Sequence, residues 1–176
     1  MDLPTDLSKL KIILYPNPVL KRQCEPVVEF GDELRRLADR MFELMREVRG
    51  VGLAAPQVGV PIRLFVCNAT GQPGDDMICV NPKLDSLSGS VESQEGCLSI
   101  PGVTVNLRRA ETAVIQACDA DGARFSHEAK GLLARIWQHE SDHLDGRLII
   151  DYMSATDEIA NRRALRELLK GSAAAR

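Results

Sequence analysis

The residues best equipped for chemistry are His139, Glu140 and His143, in the run Gln138-His139-Glu140-Ser141-Asp142-His143-Leu144. Their pattern is His-Glu-x-x-His. Residues four apart lie on one face of an α-helix, so His139 and His143 can offer imidazole nitrogens to a single metal ion. Glu140 would sit beside the ion's open position and take a proton from water there, rather than serve as a ligand. The plain alternative is a surface helix that happens to carry two histidines. The preceding turns argue against it, because Leu132, Leu133, Ile136 and Trp137 make them apolar and predict a buried helix. Two histidines and a glutamate on a buried helix need partners, and a metal supplies them.

Two ligands do not complete a catalytic site, so the third decides the class. A metzincin-type protease would place a third His six residues after His143. Gly146 falls where that pattern wants glycine, but Ile149 occupies the ligand position. A thermolysin-type protease would use a downstream glutamate, and Glu158 and Glu167 lie in a charged segment expected to face solvent. His127, the remaining histidine, sits in Phe125-Ser126-His127-Glu128, which reads as half-exposed strand. Sulfur is left. The five cysteines, at 24, 67, 79, 97 and 118, are odd in number and contain no Cys-x-x-Cys pair. That argues for a reducing compartment rather than a disulfide framework. Cys67, Cys79 and Cys118 lie in strand-like apolar runs and read as core, while Cys24 carries no readable signal. Cys97 differs: in Gln94-Glu95-Gly96-Cys97-Leu98-Ser99-Ile100-Pro101-Gly102 it is flanked by Gly and Pro-Gly, the mark of a strand end or bulge. Two imidazoles and one thiolate leave a fourth position open, as a catalytic site requires.

Three blocks, Gly50-Val51-Gly52-Leu53-Ala54-Ala55-Pro56-Gln57-Val58-Gly59, Glu95-Gly96-Cys97-Leu98-Ser99 and Gln138 to Leu144, resemble the peptide deformylases in order and spacing. The resemblance extends from about Ile13 to about Tyr152. It implies a metal-dependent hydrolase that removes the formyl group from the N-terminal formyl-methionine of newly synthesised proteins. It also implies one Fe²⁺ per chain, with Zn²⁺ or Ni²⁺ as substitutes on isolation. By the same resemblance Cys97, His139 and His143 are the metal ligands and Glu140 is the general base and acid. Gln57, through its side-chain amide, and Leu98, through its backbone N–H, would bind the formyl oxygen. Gly52 would bind substrate through its backbone, Val51, Leu132 and Ile136 would line the methionine pocket, and Arg109 would either contact the peptide or brace the site. Arg135 and Ser93 stand where some relatives carry apolar residues.

Each of these roles has a physical basis. Formamide hydrolysis at neutral pH needs an activated nucleophile, and a metal lowers the pKa of water from ~15.7 to ~7. A glutamate can then carry the proton to the departing amine. Charge grows on the formyl oxygen, where one preplaced donor is typically worth about 3 kcal/mol. An amide such as Gln57 donates without titrating. Gly50, Gly52 and Gly59 suit a loop that approaches a peptide backbone closely, and Gly50 also suits a helix end. Two rival functions remain. A metal endoprotease lacks its downstream third ligand, and a closed structural metal site lacks a fourth. Loss of activity within the family is opposed by the presence of Glu140 and Gln57.

The elements that must position these residues can be outlined. At 176 residues, 44% hydrophobic and 27% charged, one domain over 1–176 with a real core is expected, about 161–176 being a basic C-terminal helix and tail. A net charge of −3 argues against direct DNA binding, and no apolar run reaches the ~18–20 residues of a membrane span. The opening residues Met1 to Asp6 resemble neither a signal nor a transit peptide, which suggests the bacterial cytoplasm. Leu34, Leu37, Met41, Leu44 and Val48 predict a helix over 32–49, capped by Asp32 and ended by Gly50. Strands are expected at 62–67, 77–80, 112–119 and 123–127, the last two joined as a hairpin, and the metal helix at about 131–144. Strands on either side of that helix without βαβ alternation give an α+β fold, with largely antiparallel sheets around a central metal-binding helix and a further helix towards each terminus.

From 161 onward Arg162, Arg163, Arg166, Lys170 and Arg176 stand against Glu167 alone, a local balance of +4. Two readings stay open. The charge could serve the helix's own dipole near its C-terminus, or it could dock the enzyme on ribosomal RNA near emerging formyl-methionyl peptides, as the resemblance suggests. Gly171 to Arg176 reads as a frayed tail.

Overall fold

Apolar side chains at helical spacing give α1, Asp32–Glu47, which buries Leu34, Leu37, Met41 and Leu44 on one face. Its ends differ from expectation. Gly31, at φ 117°, precedes the helix without a side-chain cap, and Asp32 and Glu33 occupy the first turn, where the dipole favours carboxylates. At the other end Arg49, not Gly50, adopts the left-handed conformation, at φ 55°. The Arg49 N–H donates to the Arg46 carbonyl at 3.0 Å and the Gly50 N–H to the Met45 carbonyl at 2.8 Å, the paired closure of a Schellman motif. Gly50 serves packing instead: a Cβ there would stand 2.8 Å from Leu98 Cδ1.

The computed structural model describes residues 3–174, so Met1, Asp2, Ala175 and Arg176 lie outside the described residues. Among the described residues seven strands follow α1. β1 (Gly52–Ala54), β2 (Leu64–Cys67), β3 (Met77–Ser88), β6 (Thr112–Cys118) and β7 (Arg124–Lys130) form one sheet in the order β1-β2-β3-β6-β7. β4 (Val91–Gly96) and β5 (Thr104–Arg109) form a separate pair, and every pairing between these strands is antiparallel. The fold is α+β, as expected. β3 is much longer than its apolar start suggested, because its second half turns outward and is polar. β1 was hidden in a glycine-bearing run that reads as loop.

β2 explains how two helices share one sheet. It sends Leu64 and Val66 towards α1 and Phe65 and Cys67 towards α2 (Gly131–Leu144), so its unbroken apolar run is buried on both faces. Trp137, Ile136 and Leu144 lock α2 onto the sheet among Phe65, Cys67, Cys79 and Ile115. Cys24 joins that cluster, giving it a core role that the sequence did not disclose. A third cluster joins Val105 and Leu107 of β5 to Leu148, Ile149 and one face of α3 (Ala155–Ala174), through Ala164, Leu165 and Leu168.

α3 begins six residues before the expected helix. Ser154 and Asp157 start it reciprocally: the Asp157 N–H donates to Ser154 Oγ at 3.1 Å, and Ser154 N–H donates to Asp157 Oδ2 at 3.0 Å. The expected tail is helical as far as Ala174. No basic residue lies in the last turn, so Arg162, Arg163, Arg166 and Lys170 are mid-helix charges rather than dipole partners at its end.

Candidate active site

Three elements bring the site together. α2 presents His139 and His143 one turn apart, and the end of β4 delivers Cys97 opposite them. Cys97 Sγ lies 3.3 Å from His143 Nε2, which lies 3.2 Å from His139 Nε2, and the three donor atoms fall within 4.8 Å of one another. Ligands about 2.0–2.3 Å from one ion in tetrahedral array stand roughly 3.3–3.7 Å apart. The donor set therefore fits a metal with its fourth position free, and this Cys/His/His group is a metal-binding triad. Burial holds His143 well below its usual pKa, and the neighbouring His139 and Arg109 act in the same direction. Glu158 and Glu167 are exposed on α3, apart from the triad. His127 is exposed on β7 and stacks near Phe125, with ring centroids 5.2 Å apart.

A buried ionic cluster fixes the first histidine. Glu95 Oε2 lies 3.1 Å from His139 Nδ1, turning Nε2 towards the other donors. Arg109 donates through Nε and Nη2 to both Glu95 oxygens, at 2.7 and 3.0 Å, and through Nη1 to Asp142 at 2.9 Å. Burial opposes the Glu95 charge, but the hydrogen bonds with His139 and Arg109 outweigh it and hold the carboxyl down at about 2. Arg109 was expected to contact the peptide or brace the site. All three of its nitrogens are committed to carboxylates, its side chain is 8% exposed and it does not line the cleft, so contact with peptide is set aside in favour of bracing. Glu95 and Asp142 lie within motif blocks, yet nothing local in those blocks discloses their work, because their partner is distant along the chain.

Glu140 projects from α2 beside the triad and is 4% exposed, and its Oε2 has no hydrogen-bond partner among the described residues. Burial pushes its carboxyl up to about 7, against the pull of His139 and Arg109, so it can both take and return a proton near neutrality. Gly52 makes the room: a Cβ there would stand 2.9 Å from Glu140 Cδ. Gln57 sits on a short 3-10 turn, Ala55–Val58. The Ala54 N–H donates to its Oε1 at 2.8 Å, which turns Nε2 towards Cys97 Sγ at 3.5 Å and the buried Ser99 Oγ at 3.2 Å. Its amide nitrogen thus faces the triad sulfur on one side and Ser99 on the other. The Leu98 backbone N–H makes no hydrogen bond among the described residues.

These groups open on a cleft of about 430 Å³. Val51, Leu132 and Ile136 all line it, Ile136 buried and the other two at the rim, 41% and 45% exposed. Arg135 lines it as well. Ser93 does not; its neighbours Gln94 and Glu95 do, and its hydroxyl is buried without a partner among the described residues. β1 is the edge strand of its sheet and its Gly52 lines the cleft, so an extended peptide could lie alongside it.

Comparison with known proteins gives a consistent picture. Residues 9–158 match the polypeptide deformylase family pattern. The peptide deformylase of Alkalilimnicola ehrlichii is 41% identical over 165 residues, 93% of each chain. That of Thermodesulfovibrio yellowstonii is 44% identical over 150 residues, 84% of this chain and 91% of the other. Among solved structures, a plant peptide deformylase superposes with a TM-score of 0.91 at 39% identity, covering 97% of this chain and 94% of that one. The Plasmodium falciparum peptide deformylase does so with a TM-score of 0.89 at 38% identity, covering 93% and 98%.

Proposed function

The chain belongs to the polypeptide deformylase family, and from that premise we propose how its cleft residues divide the work of deformylation. The protein is a metal-dependent hydrolase that removes the formyl group from the N-terminus of newly made peptides. One observation carries the reading of the site: the Cys97 sulfur and two imidazoles converge beside a buried Glu140 and the Gln57 amide, in one cleft. Cys97, His139 and His143 would hold a metal ion, which when bound would supply Lewis-acid chemistry that lowers water's pKa from ~15.7 towards ~7. Glu140 takes the proton of the water that attacks the formyl carbon. It returns that proton to the peptide nitrogen as the C–N bond breaks, leaving formate and a free amine. Gln57 Nε2 and the Leu98 N–H donate to the formyl oxygen as negative charge builds there. Gly52 and the β1 edge hold the peptide backbone, and Val51, Leu132 and Ile136 receive the methionine side chain, whose thioether leaves no polar group unpaired.

Hydrolysis of formyl-Met-Ala, set against acetyl-Met-Ala and an internal peptide bond, with and without chelator, tests the assignment. Only the formyl peptide should react, and only without chelator; cleavage of the internal bond would make it a protease.

Iron is the metal we assign, because the thiolate-containing donor set suits Fe²⁺ as well as Zn²⁺ or Ni²⁺ and the family works with iron. The Fe²⁺ form should lose activity in air faster than the Zn²⁺ or Ni²⁺ forms, and equal loss would speak against it. The whole of 1–176 is read as one catalytic unit working in the bacterial cytoplasm. The exposed mid-helix charges of α3 are read as a ribosome contact. Truncating α3 is a poor test, since Asn161 Nδ2 donates to the Thr104 carbonyl of β5 at 2.7 Å. Reversing Arg162, Arg163 and Arg166 to Glu keeps that bond. It should abolish salt-sensitive co-sedimentation with ribosomes while hydrolysis of small peptides persists.

A further inference from the structure

Arg135 lies on α2 four residues before His139, so the two share a face of the helix. It lines the cleft, half-buried, and makes no hydrogen bond or ion pair among the described residues. Its Nε is closed to solvent and still unpartnered. Contrast Arg109 nearby, whose guanidinium is forked onto two carboxylates. The acids that line the cleft are both spent: Glu95 on Arg109 and His139, and Glu140 on the reacting centre. A second arginine without a side-chain partner among the described residues lines the same cleft. Arg49 stands at the left-handed C-terminal position of α1, where glycine is the usual occupant and any other side chain is strained. That strain places an arginine at the cleft where a glycine would fit with less cost.

A half-buried guanidinium with a stranded donor gains most from an anionic acceptor supplied by a ligand. Four helical residues advance about 6 Å, and an extended peptide covers that distance in about two residues. With the formyl group at the triad, Arg135 therefore falls near the residues that follow methionine. On the deformylase reading above, we propose that Arg135, with Arg49 beside the same cleft, selects formylated peptides bearing a carboxylate side chain at the second or third residue.

The experiment compares formyl-Met-Glu-Ala-amide and formyl-Met-Ala-Glu-amide with their Gln counterparts, at low and high salt. Amidation removes the C-terminal carboxylate, which would otherwise offer the same chemistry. In the wild type, Glu should beat Gln by about tenfold in kcat/KM at one of the two positions, mostly through KM. The advantage should shrink as salt rises. In Arg135→Met the Glu/Gln ratio should fall to about 1 whatever the absolute rate, and in Arg49→Ala it should fall part of the way. If Arg135→Met is insoluble, Arg135→Gln decides in the same way. Equal rates for Glu and Gln peptides in the wild type at low salt, or a ratio unmoved in the Arg135 variant, would overturn the inference while leaving deformylation intact. Failure to hydrolyse any formyl peptide would strike the deformylase reading itself, and this inference with it.

Discussion

The ionic cluster behind the triad and the charged face of α3 are built from the same residue types and do opposite things. In the first, Arg109 and Glu95 are 8% and 6% exposed in their side chains, and three carboxylate contacts fix one guanidinium. In the second, Arg163 and Glu167 are 92% and 66% exposed and joined by a single 3.0 Å contact. A charge buried with its partners becomes part of the frame, because removing one partner strands the others without water. A charge in solvent is screened and contributes little to the fold. The catalytic wall is thus preorganised by electrostatics, while α3 keeps its charges available.

The sharpest way to separate frame from chemistry is Glu140→Gln. The substitution keeps shape and burial and removes the carboxylate that moves the proton. Turnover should fall ~10²–10⁴-fold, while metal content and melting temperature stay close to wild type. A variant retaining more than about a tenth of wild-type kcat would show that another group carries the proton. Arg109→Leu inverts that result. It removes the partner that Glu95 and Asp142 share, leaving Glu95 with His139 alone and Asp142 with the half-exposed Arg147, and breaking a buried pair costs about 3–5 kcal/mol of stability. Urea unfolding should reveal the loss, with metal affinity falling too as His139 loses its fixed orientation. Stability within about 1 kcal/mol of wild type would mean that water enters the cluster and the contrast with α3 is false.

How much of this was legible in the sequence follows from which interactions are local. α2 was readable with its ends, since His-Glu-x-x-His and its apolar approach lie within one segment. Cys97 was recognisable as a strand-end residue from its Gly and Pro-Gly neighbours. The β4–β5 pair was not foreseen, because its polar, mostly exposed β4 has no apolar alternation to read. Arg109's role stayed open for the reason that Glu95 and Asp142 went unnoticed: three residues from three elements form one cluster only after folding. The substitution of Arg49 for Gly50 at the left-handed position follows a backbone requirement that propensity assigns to glycine. The start of α3 is legible: Ser154-Ala155-Thr156-Asp157 is a capping box in plain sequence, seven residues before the basic segment expected as the helix.

That cap sits between the two regimes and should give an intermediate effect. Ser154→Ala removes one acceptor at the helix start, and such losses typically cost about 1 kcal/mol. The effect should depend on pH. Asp157 is held below the usual carboxylate range by hydrogen bonds from Ser154 and then from Asn106 of β5. A depressed carboxyl stabilises the fold fully above its unfolded pKa and loses that contribution as pH falls through the folded one. Wild type should therefore keep its advantage over Ser154→Ala at neutral pH and lose part of it in acid. A gap between the two that stays constant from neutral to strongly acidic pH would show that the cap does not depend on the Asp157 charge.

The smallest effect belongs to the exposed end of the comparison. Arg163 Nε donates to Glu167 Oε1 one turn along α3, a spacing that brings such pairs together on any helix. Both side chains give up rotamer freedom to meet, and water screens what they gain, so the pair should contribute no more than about 0.5 kcal/mol. A double-mutant cycle over Arg163→Ala and Glu167→Ala, read by urea unfolding, isolates that coupling from the loss of each side chain. It should fall towards zero in about 0.5 M salt, where the Debye length is only a few ångströms. The same cycle on Arg109 and Asp142 should return several times more and change little with salt. A coupling above about 1 kcal/mol at Arg163 and Glu167 would place them within the frame, and α3 would then be held by its charges as firmly as the catalytic wall.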